Sequence, residues 1–455
     1  MQTSFSLAQL ADPDISEADK ILRACVHCGF CTATCPTYVL LGDEDDSPRG
    51  RIYLIKEMLE NAEPARREVV KHIDRCLSCL GCMTTCPSGV HYMHLVDHAR
   101  AHVERTYRRP LLDRMVRSAL LRVMTDPKLF RRALIAALLV KPIAPLLDLV
   151  RLRPLAAMLR LAPWRIPHRN PATPAVFPAV SPRRGRVALL SGCVANVLRP
   201  DINQAAIRVL TRHGFEVVQV RDEGCCGALA HHMGRKEEAH AAACRNISAW
   251  SREIEAEGIE AIVTTASGCG TTMKDYGFML RHHPDYAAPA KRVADISRDI
   301  SEFINKINDL NYVTRPSLKV AYHAACSLAH GQRVTTAPKE MLSKAGFVLK
   351  DIPESHLCCG SAGTYNMLQP ELANQLRDRK IANIDEVMPE LIAAGNIGCI
   401  TQIAAGTPIP VVHPIELIDW ATGGSAPKAL ERTGWSDAIG DRRRVATVEV
   451  EANRV

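Results

Sequence analysis

Apolar residues along the chain change their period twice. Between Pro48 and Glu60, Ile52, Ile55 and Leu59 recur at helical spacing, Ser47 stands where a cap belongs and Pro48 suits the first position, which predicts a helix over 48–60. From Arg108 to Arg169 the helical period persists in pieces, through Leu112, Met115, Val116 and Ala119 and then Leu134, Leu138 and Leu139. Prolines at 127, 142, 145 and 154 cut this stretch into short helices. A proline every few residues from Pro163 to Pro182 predicts an extended linker. Beyond it, short apolar runs alternate with amphipathic stretches. Arg186 to Gly192 reads as a buried strand, Asn203 to His213 as a helix and Phe215 to Val220 as a second strand, and Leu318 to His323, Pro338 to Ala345 and Phe347 to Ile352 repeat that order. Such alternation predicts parallel sheets with helices on both faces.

The cysteines turn that likeness into an internal repeat. Cys193 is separated by 31 residues from the pair Cys225-Cys226, and Cys326 by 31 from Cys358-Cys359. Glycine follows each pair (Gly227, Gly360), each unit closes on a glycine-preceded cysteine (Cys269, Cys399), and Gly214-Phe215 matches Gly346-Phe347. Two copies of one module are expected.

Composition narrows the class. A chain of 455 residues with 47% hydrophobic residues is too long for one core and too apolar to be disordered. Seventeen cysteines, an odd number, argue against a disulfide scaffold. Met1 to Lys20 carries acids at Asp12, Asp14, Glu17 and Asp19 and no signal-length apolar stretch, and no run of 18 apolar residues occurs, so a cytoplasmic chain without a spanning helix is expected. The net charge of +8 is local: 14 lysines and arginines face three aspartates between Arg108 and Arg169. The expected organisation is multi-domain. A helix-rich two-cluster ferredoxin domain (1–107) precedes a basic amphipathic segment with its proline-rich linker (108–184). Two repeated α/β cysteine-rich modules (185–312 and 313–425) and a polar tail (426–455) follow.

The first domain carries the sharpest chemistry. Cys25, Cys28, Cys31 and Cys35-Pro36, then Cys76, Cys79, Cys82 and Cys86-Pro87, both follow C-x2-C-x2-C-x3-C-P. Three thiolates two residues apart wrap one iron–sulfur cube, and the fourth, braced by proline, points to a second cube. Cys25, Cys28, Cys31 and Cys86 are therefore assigned to one [4Fe-4S] cluster, and Cys76, Cys79, Cys82 and Cys35 to the other. Zinc needs only two C-x2-C pairs and gives no reason for the third cysteine or the proline. Gly29, Gly81, Thr32 and Thr84 are small enough to let backbone N–H groups approach the sulfides. Arg49 and Arg51 are expected on a solvated first turn.

In the modules, adjacent cysteines serve one site only if the backbone turns between them, and Gly227 and Gly360 permit that turn. Loops at the carboxyl ends of parallel strands would bring Cys193, Cys225, Cys226 and Cys269 together, and likewise Cys326, Cys358, Cys359 and Cys399. Thiolates near helix N-termini would be more acidic and better ligands. A further cluster or other metal, a redox dithiol, and plain structural packing all remain open. Cys244, without a counterpart, is expected in the core. His323, His330 and His413 sit beside strand ends, where hydrogen-bonded structure is the commoner role than ligation or proton transfer.

Two ferredoxin motifs followed by two C…CCG…C modules resemble the cysteine-rich (CCG) family of heterodisulfide reductase and related oxidoreductase subunits. Within it, the run from Ile21 through Cys25-Val-His-Cys28 to Tyr38 is similar to the iron–sulfur subunits of glycolate oxidases (glycolate dehydrogenases). So are Pro48-Arg-Gly-Arg-Ile-Tyr-Leu-Ile55, Thr265-Ala-Ser-Gly-Cys-Gly270 and Ser355-His-Leu-Cys-Cys-Gly-Ser-Ala-Gly-Thr-Tyr365. The likeness runs from about residue 20 to residue 420. It implies FAD-containing partner subunits that oxidise glycolate to glyoxylate, with this chain passing electrons toward a membrane quinone or equivalent acceptor. The fullest modules carry a second cysteine three residues after the last; Thr272 and Gln402 stand there instead, removing a fifth thiolate from each.

No G-x-G-x-x-G follows a strand and no Walker sequence occurs, so catalytic base and hydride acceptor are expected on a partner. Equivalent subunits for lactate, another 2-hydroxy acid or glycerol 3-phosphate are the alternative; a redox-sensing scaffold would need a reading element that is not found. The basic segment suits anionic lipid on the inner face of the cytoplasmic membrane or an acidic partner subunit equally well. Nucleic acid is not expected, since aromatics are few and no motif matches.

Overall fold

The computed structural model describes residues 1–149, 152–167, 175–307 and 309–431. Helices Pro13–Ala24, Pro48–Glu60, Arg67–Asp74 and Tyr92–Thr106 build the first domain around Leu22, Ile55, Ile73, Leu95 and Val96, all fully buried. The Pro48–Glu60 helix has the expected bounds, and the Ser47 hydroxyl accepts from the Gly50 N–H.

The basic segment folds as helices Leu111–Thr125, Pro127–Val140, Ala144–Leu149 and Arg153–Leu161, each broken where a proline removes a donor. It is tied into the molecule. Leu120 and Met124 are buried with Met367 of the second module, and Leu121 joins the core of the first. Two of its arginines are also drawn inward: Arg109 and Arg117 both pair with Asp74 of the first domain, at 2.7 and 2.9 Å. The linker is less open than expected. Within it, β1 (Ala175–Phe177) pairs antiparallel with residues Val217–Gln219 at a sheet edge, where the following Pro178 is tolerated. Residues 168–174 lie outside the described residues.

The first module is a sheet of β2 (Gly185–Leu189), β3 (Phe215–Gln219), β4 (Ala261–Thr264) and β5 (Ser297–Asp299), parallel throughout, in the order β1-β3-β2-β4-β5. The second has β6 (Lys319–His323), β7 (Val348–Lys350), β8 (Leu391–Ala394) and β9 (Val411–Val412) in the order β7-β6-β8-β9, again parallel. Leaving out the antiparallel edge, the two orders are the same, so the sequence repeat is a repeat of topology. In each, the first strand lies between the second and third, which opens a crevice at its carboxyl end.

Period-two alternation divides the first sheet between two cores. Val187, Leu189, Val217 and Val263 face one; Ala188, Val218 and Ile262 face the other. The first of these cores continues into Val320, Tyr322, Ile392 and Val412, so the boundary at 312–313 is no break in packing. Bonds from Arg199 to Glu416 and from Arg208 and Arg212 to Asp419 join the modules further. The tail begins later than expected: helix Lys428–Glu431 places Leu430, 2% exposed, in that shared core. Residues 432–455 lie outside the described residues.

Candidate metal centres

Both ferredoxin loops turn the same way. His27 and Gly29 in the first, Ser78 and Leu80 in the second, occupy equivalent places with left-handed φ of 56°, 85°, 49° and 63°. Three of these are not glycine, a strained conformation that bends three successive cysteines toward one point. One cavity is lined by Cys25, Cys28, Cys31 and Cys86, the other by Cys35, Cys76 and Cys79, and Cys82 borders both. Each group draws its fourth cysteine from the other motif. Cys28 is exposed and Cys31 and Cys86 are half-buried, whereas Cys35, Cys76, Cys79 and Cys82 are all buried.

The chemistry of these donors suits thiophilic iron. Burial, helped by Cys25, pushes the Cys31 thiol up to about 11, and burial holds Cys79 and Cys82 well above the ordinary thiol range. Without a metal ion beside them these thiols keep their protons, and binding one would displace those protons. Hydrogen-bond donors already point at the sulfurs. Arg51 Nη1 lies 3.7 Å from Cys35 Sγ, and Tyr92 donates its hydroxyl to Cys76 Sγ at 3.8 Å.

Arg51 corrects the expectation of a solvated first turn. It is 1% exposed, pairs with Asp46 at 3.2 Å and donates to the His72 carbonyl at 2.7 Å. The available signal was its register, since Arg51, Ile55 and Met58 share one helix face and all three are buried. Arg49 is half-exposed and bound to Glu44. The Thr84 hydroxyl hydrogen-bonds with His330 of the second module at 2.8 Å.

In each module the four cysteines come together at the sheet's carboxyl edge. Cys193 Sγ lies 3.6 Å from Cys225 Sγ, and Cys326 Sγ 3.9 Å from Cys358 Sγ. Gly227 and Gly360 have φ of 86° and 87°, which reverses the chain after each pair and turns Cys226 toward Cys269 and Cys359 toward Cys399. Cys225 accepts from both Cys193 and Cys226, which makes it the acidic member of its group. Cys244 is half-buried at the margin of the first module's core.

The surroundings of the two groups differ. Beside the first lies a cleft of about 1090 Å³ lined by Cys193, Cys225, Glu223, Arg245 and, from the basic segment, Lys128 and Arg131. Glu223 on its wall is pushed up to about 7 by burial, though it accepts from Ser191 N and Trp250 Nε1. The second group faces the ferredoxin domain, where Cys358 and Cys326 pack with Cys79 and Leu77.

Of the three histidines, His413 is structural, capping Pro414–Ala421 through Ile415 N and bonding the Thr265 carbonyl. His330 bridges to Thr84. His323 has neither role: it is buried, and both ring nitrogens lack a hydrogen-bond partner.

Comparison with known proteins agrees with this division. Residues 21–90 match a 4Fe-4S dicluster domain, and residues 187–274 and 320–404 each match the cysteine-rich domain called CCG. The chain is similar to the glycolate oxidase iron-sulfur subunit of Escherichia coli (strain K12), with 43% identity over 421 residues covering 92% of this chain and 99% of that one. A probable glycolate oxidase iron-sulfur subunit of Bacillus subtilis (strain 168) is 28% identical over 401 residues, 85% of this chain and 89% of that one. A crystal structure of a hypothetical protein from Helicobacter pylori covers 92% of this chain and 74% of its own, with a TM-score of 0.52 at 10% identity, a likeness of fold alone. Among the described residues no helix is long and apolar enough to cross a membrane.

Proposed function

The chain belongs to the family of glycolate oxidase iron–sulfur subunits, and from that premise we propose that it is the electron-transfer subunit of a glycolate dehydrogenase. A flavoprotein partner carrying FAD oxidises glycolate to glyoxylate, and this chain conveys the electrons toward a membrane quinone. One observation carries the reading: two groups of four thiols, each assembled across both motifs, one at the surface and one inside. When bound, a four-iron centre carries a single electron, and a pair of them divides the two that a flavin holds.

The residues have separable tasks. Cys25, Cys28, Cys31 and Cys86 hold the outer centre, and Cys35, Cys76, Cys79 and Cys82 the inner one. Val26 and Phe30, each 65% exposed, flank the exposed Cys28 and form the apolar contact on which a partner seats. Arg51 and Tyr92 direct donors at inner thiolates and so favour added negative charge there.

Leu112, Met115, Leu139 and Trp164 stand exposed on the basic segment. Apolar side chains among lysines and arginines suit the inner surface of an anionic membrane, where the quinone resides.

The test is anaerobic purification of the complex followed by substrate addition. Glycolate, and not D- or L-lactate, should produce the low-temperature paramagnetic signal of reduced clusters on this chain. Stoichiometric zinc with no acid-labile sulfide would refute the reading, and reduction by lactate alone would reassign the substrate.

A further inference from the structure

The two modules repeat one topology, yet one position separates them chemically. His323, the last residue of β6, stands three residues before Cys326; the equivalent place before Cys193 is Leu190, packed in an apolar core. The strand registers agree, since Tyr322 pairs with Ala393 as Leu189 pairs with Val263. In the second module the donor atoms of His323, Cys359 and Cys399 all lie within 4.8 Å of one another, and all three residues are buried. No such trio occurs in the first module among the described residues.

His323 is the one histidine among them whose two nitrogens are both buried and unpartnered. A buried polar atom without a partner is destabilising, so its retention needs a reason. The other trio, Asp43, Asp46 and His72, has one: Arg51, His72 and Arg75 already occupy both Asp46 oxygens.

We propose that the second module holds a single thiophilic divalent metal ion, bound by the His323 imidazole and the thiolates of Cys359, Cys399 and Cys358, and that the first module holds none. The three clustered donors are close enough together for one ion to bridge them. Metal–sulfur bonds of about 2.3 Å and metal–nitrogen bonds of about 2.0–2.1 Å give tetrahedral edges of roughly 3.5–3.8 Å, within reach of the observed donors. Cys358 is the next thiol in line, with side-chain contacts to both Cys326 and Cys359. The mixed nitrogen and sulfur donor set selects zinc or ferrous iron over harder cations.

Supporting groups are in place. Asn396 Nδ2 donates to Cys399 Sγ at 3.7 Å and Gly360 N to Cys358 Sγ at 3.4 Å, the contacts that orient metal-bound thiolates. Three thiolates around a divalent ion leave one negative charge. Lys380, 2% exposed, bonds to the Glu354 carbonyl and brings a compensating positive charge beside Cys358, Cys359 and Cys399. Gln402, at the place of the missing fifth thiolate, is turned away, accepting from Asn366 and donating to the Ala373 carbonyl. The histidine enters instead from the carboxyl end of β6, which lies beside that of the parallel strand β8. Cys358 packs with Cys79, so the ion would lie beside the inner thiol group and fasten the module to the ferredoxin domain.

The experiment is metal and acid-labile sulfide analysis of the anaerobically purified full chain, with X-ray absorption at the zinc and iron edges. The wild type should carry one ion per chain beyond the iron matched by labile sulfide, with one nitrogen and three sulfur scatterers. His323→Ala should lose that ion at least tenfold with labile sulfide unchanged. His323→Cys should keep it with four sulfur scatterers, which guards against misfolding of the alanine variant. Wild type without the additional ion, its full retention in His323→Ala, or additional iron accompanied by matching sulfide would each overturn the proposal. Loss of all labile sulfide with the nitrogen–sulfur ion still present would instead count against the electron relay and leave this site standing.

Discussion

Arg51 Nη1 lies 3.7 Å from Cys35 Sγ, and the guanidinium that makes this contact also holds the fully buried Asp46. One side chain thus serves the inner thiol group and the interior of the first domain together. A buried cation beside a thiolate stabilises the more negative, reduced state of whatever the thiolate holds. Arg51→Met should lower the reduction potential of the inner centre by up to about 130 mV, since a charge-assisted hydrogen bond contributes about 1.5–3 kcal/mol and about 59 mV corresponds to a tenfold change for one electron. The same change should cost roughly 3–5 kcal/mol of stability, because Asp46 loses a partner. Arg51→Lys should recover most of the potential. Redox titration followed by paramagnetic resonance, beside urea denaturation, checks both.

Cys28 and Cys79 test the two thiol groups separately. Cys28→Ser should remove the outer centre and abolish glycolate-dependent dye or quinone reduction while the flavin partner still co-purifies. Cys79→Ser should have the same effect on turnover but leave the outer centre reducible by glycolate. Full turnover in the Cys28 variant with both centres absent would exclude a relay through this chain.

A partly buried triad centred on buried Asp97 joins the first domain to the first module. Asp97 lies 3.1 Å from His231 and 3.8 Å from His232. Burial opposes ionisation of Asp97, but His231 and His232 outweigh it and hold its carboxyl well below the ordinary range. Burial also opposes charge on His231, and Asp97 overcomes it, raising the imidazole; burial lowers His232. The Asp97 contribution is present above about pH 3.9 and is lost as pH falls through its depressed folded value. The His231 contribution is full below about pH 6.5 and is lost as pH rises through its raised folded value. The thermal midpoint should therefore decline above pH 6.5, and His231→Gln should flatten that decline relative to wild type.

The membrane-facing reading is tested on exposed side chains, because Leu120, Leu121, Met124 and Leu134 of the same segment are buried and deleting it would open the cores. Leu112→Glu with Leu139→Glu should reduce flotation with anionic vesicles severalfold and leave the fold intact. Binding should weaken at high salt, since exposed charges are screened beyond about 10 Å at 0.1 M. Unchanged flotation would favour an acidic partner subunit.

Gly360→Ala should destabilise the second module more than Gly227→Ala does the first. Both have left-handed φ, but an added Cβ would meet the Ala373 carbonyl oxygen at 2.4 Å in one case and the Ala239 carbonyl oxygen at 3.0 Å in the other. A loss of about 1–3 kcal/mol from the backbone conformation alone is expected at both, with the closer clash adding to it at Gly360. Differential scanning calorimetry of the two variants checks the order.

Much of this organisation was legible along the chain. The Pro48–Glu60 helix, the proline-divided basic helices and the paired parallel sheets follow from apolar period and local punctuation, which act within a few residues. The linker's edge strand β1 and the burial of Leu430 were not legible, because both depend on partners far away in sequence. The same limit applied to the histidines. His323, His330 and His413 look alike beside strand ends, and their different roles are assigned by what each meets: no partner, Thr84, and a helix cap with the Thr265 carbonyl.

By itself, then, the sequence determined which thiols can share a site within each loop and that one module is written twice, since spacing and repetition are properties of the chain alone. Only the tertiary structure decided that Arg51 is buried against Cys35, that His323 meets Cys359 and Cys399, and that Cys358 packs with Cys79. The reason is physical: burial and charge compensation depend on the surfaces that long-range packing brings together, and residues as far apart as 79 and 358 carry no local record of their contact.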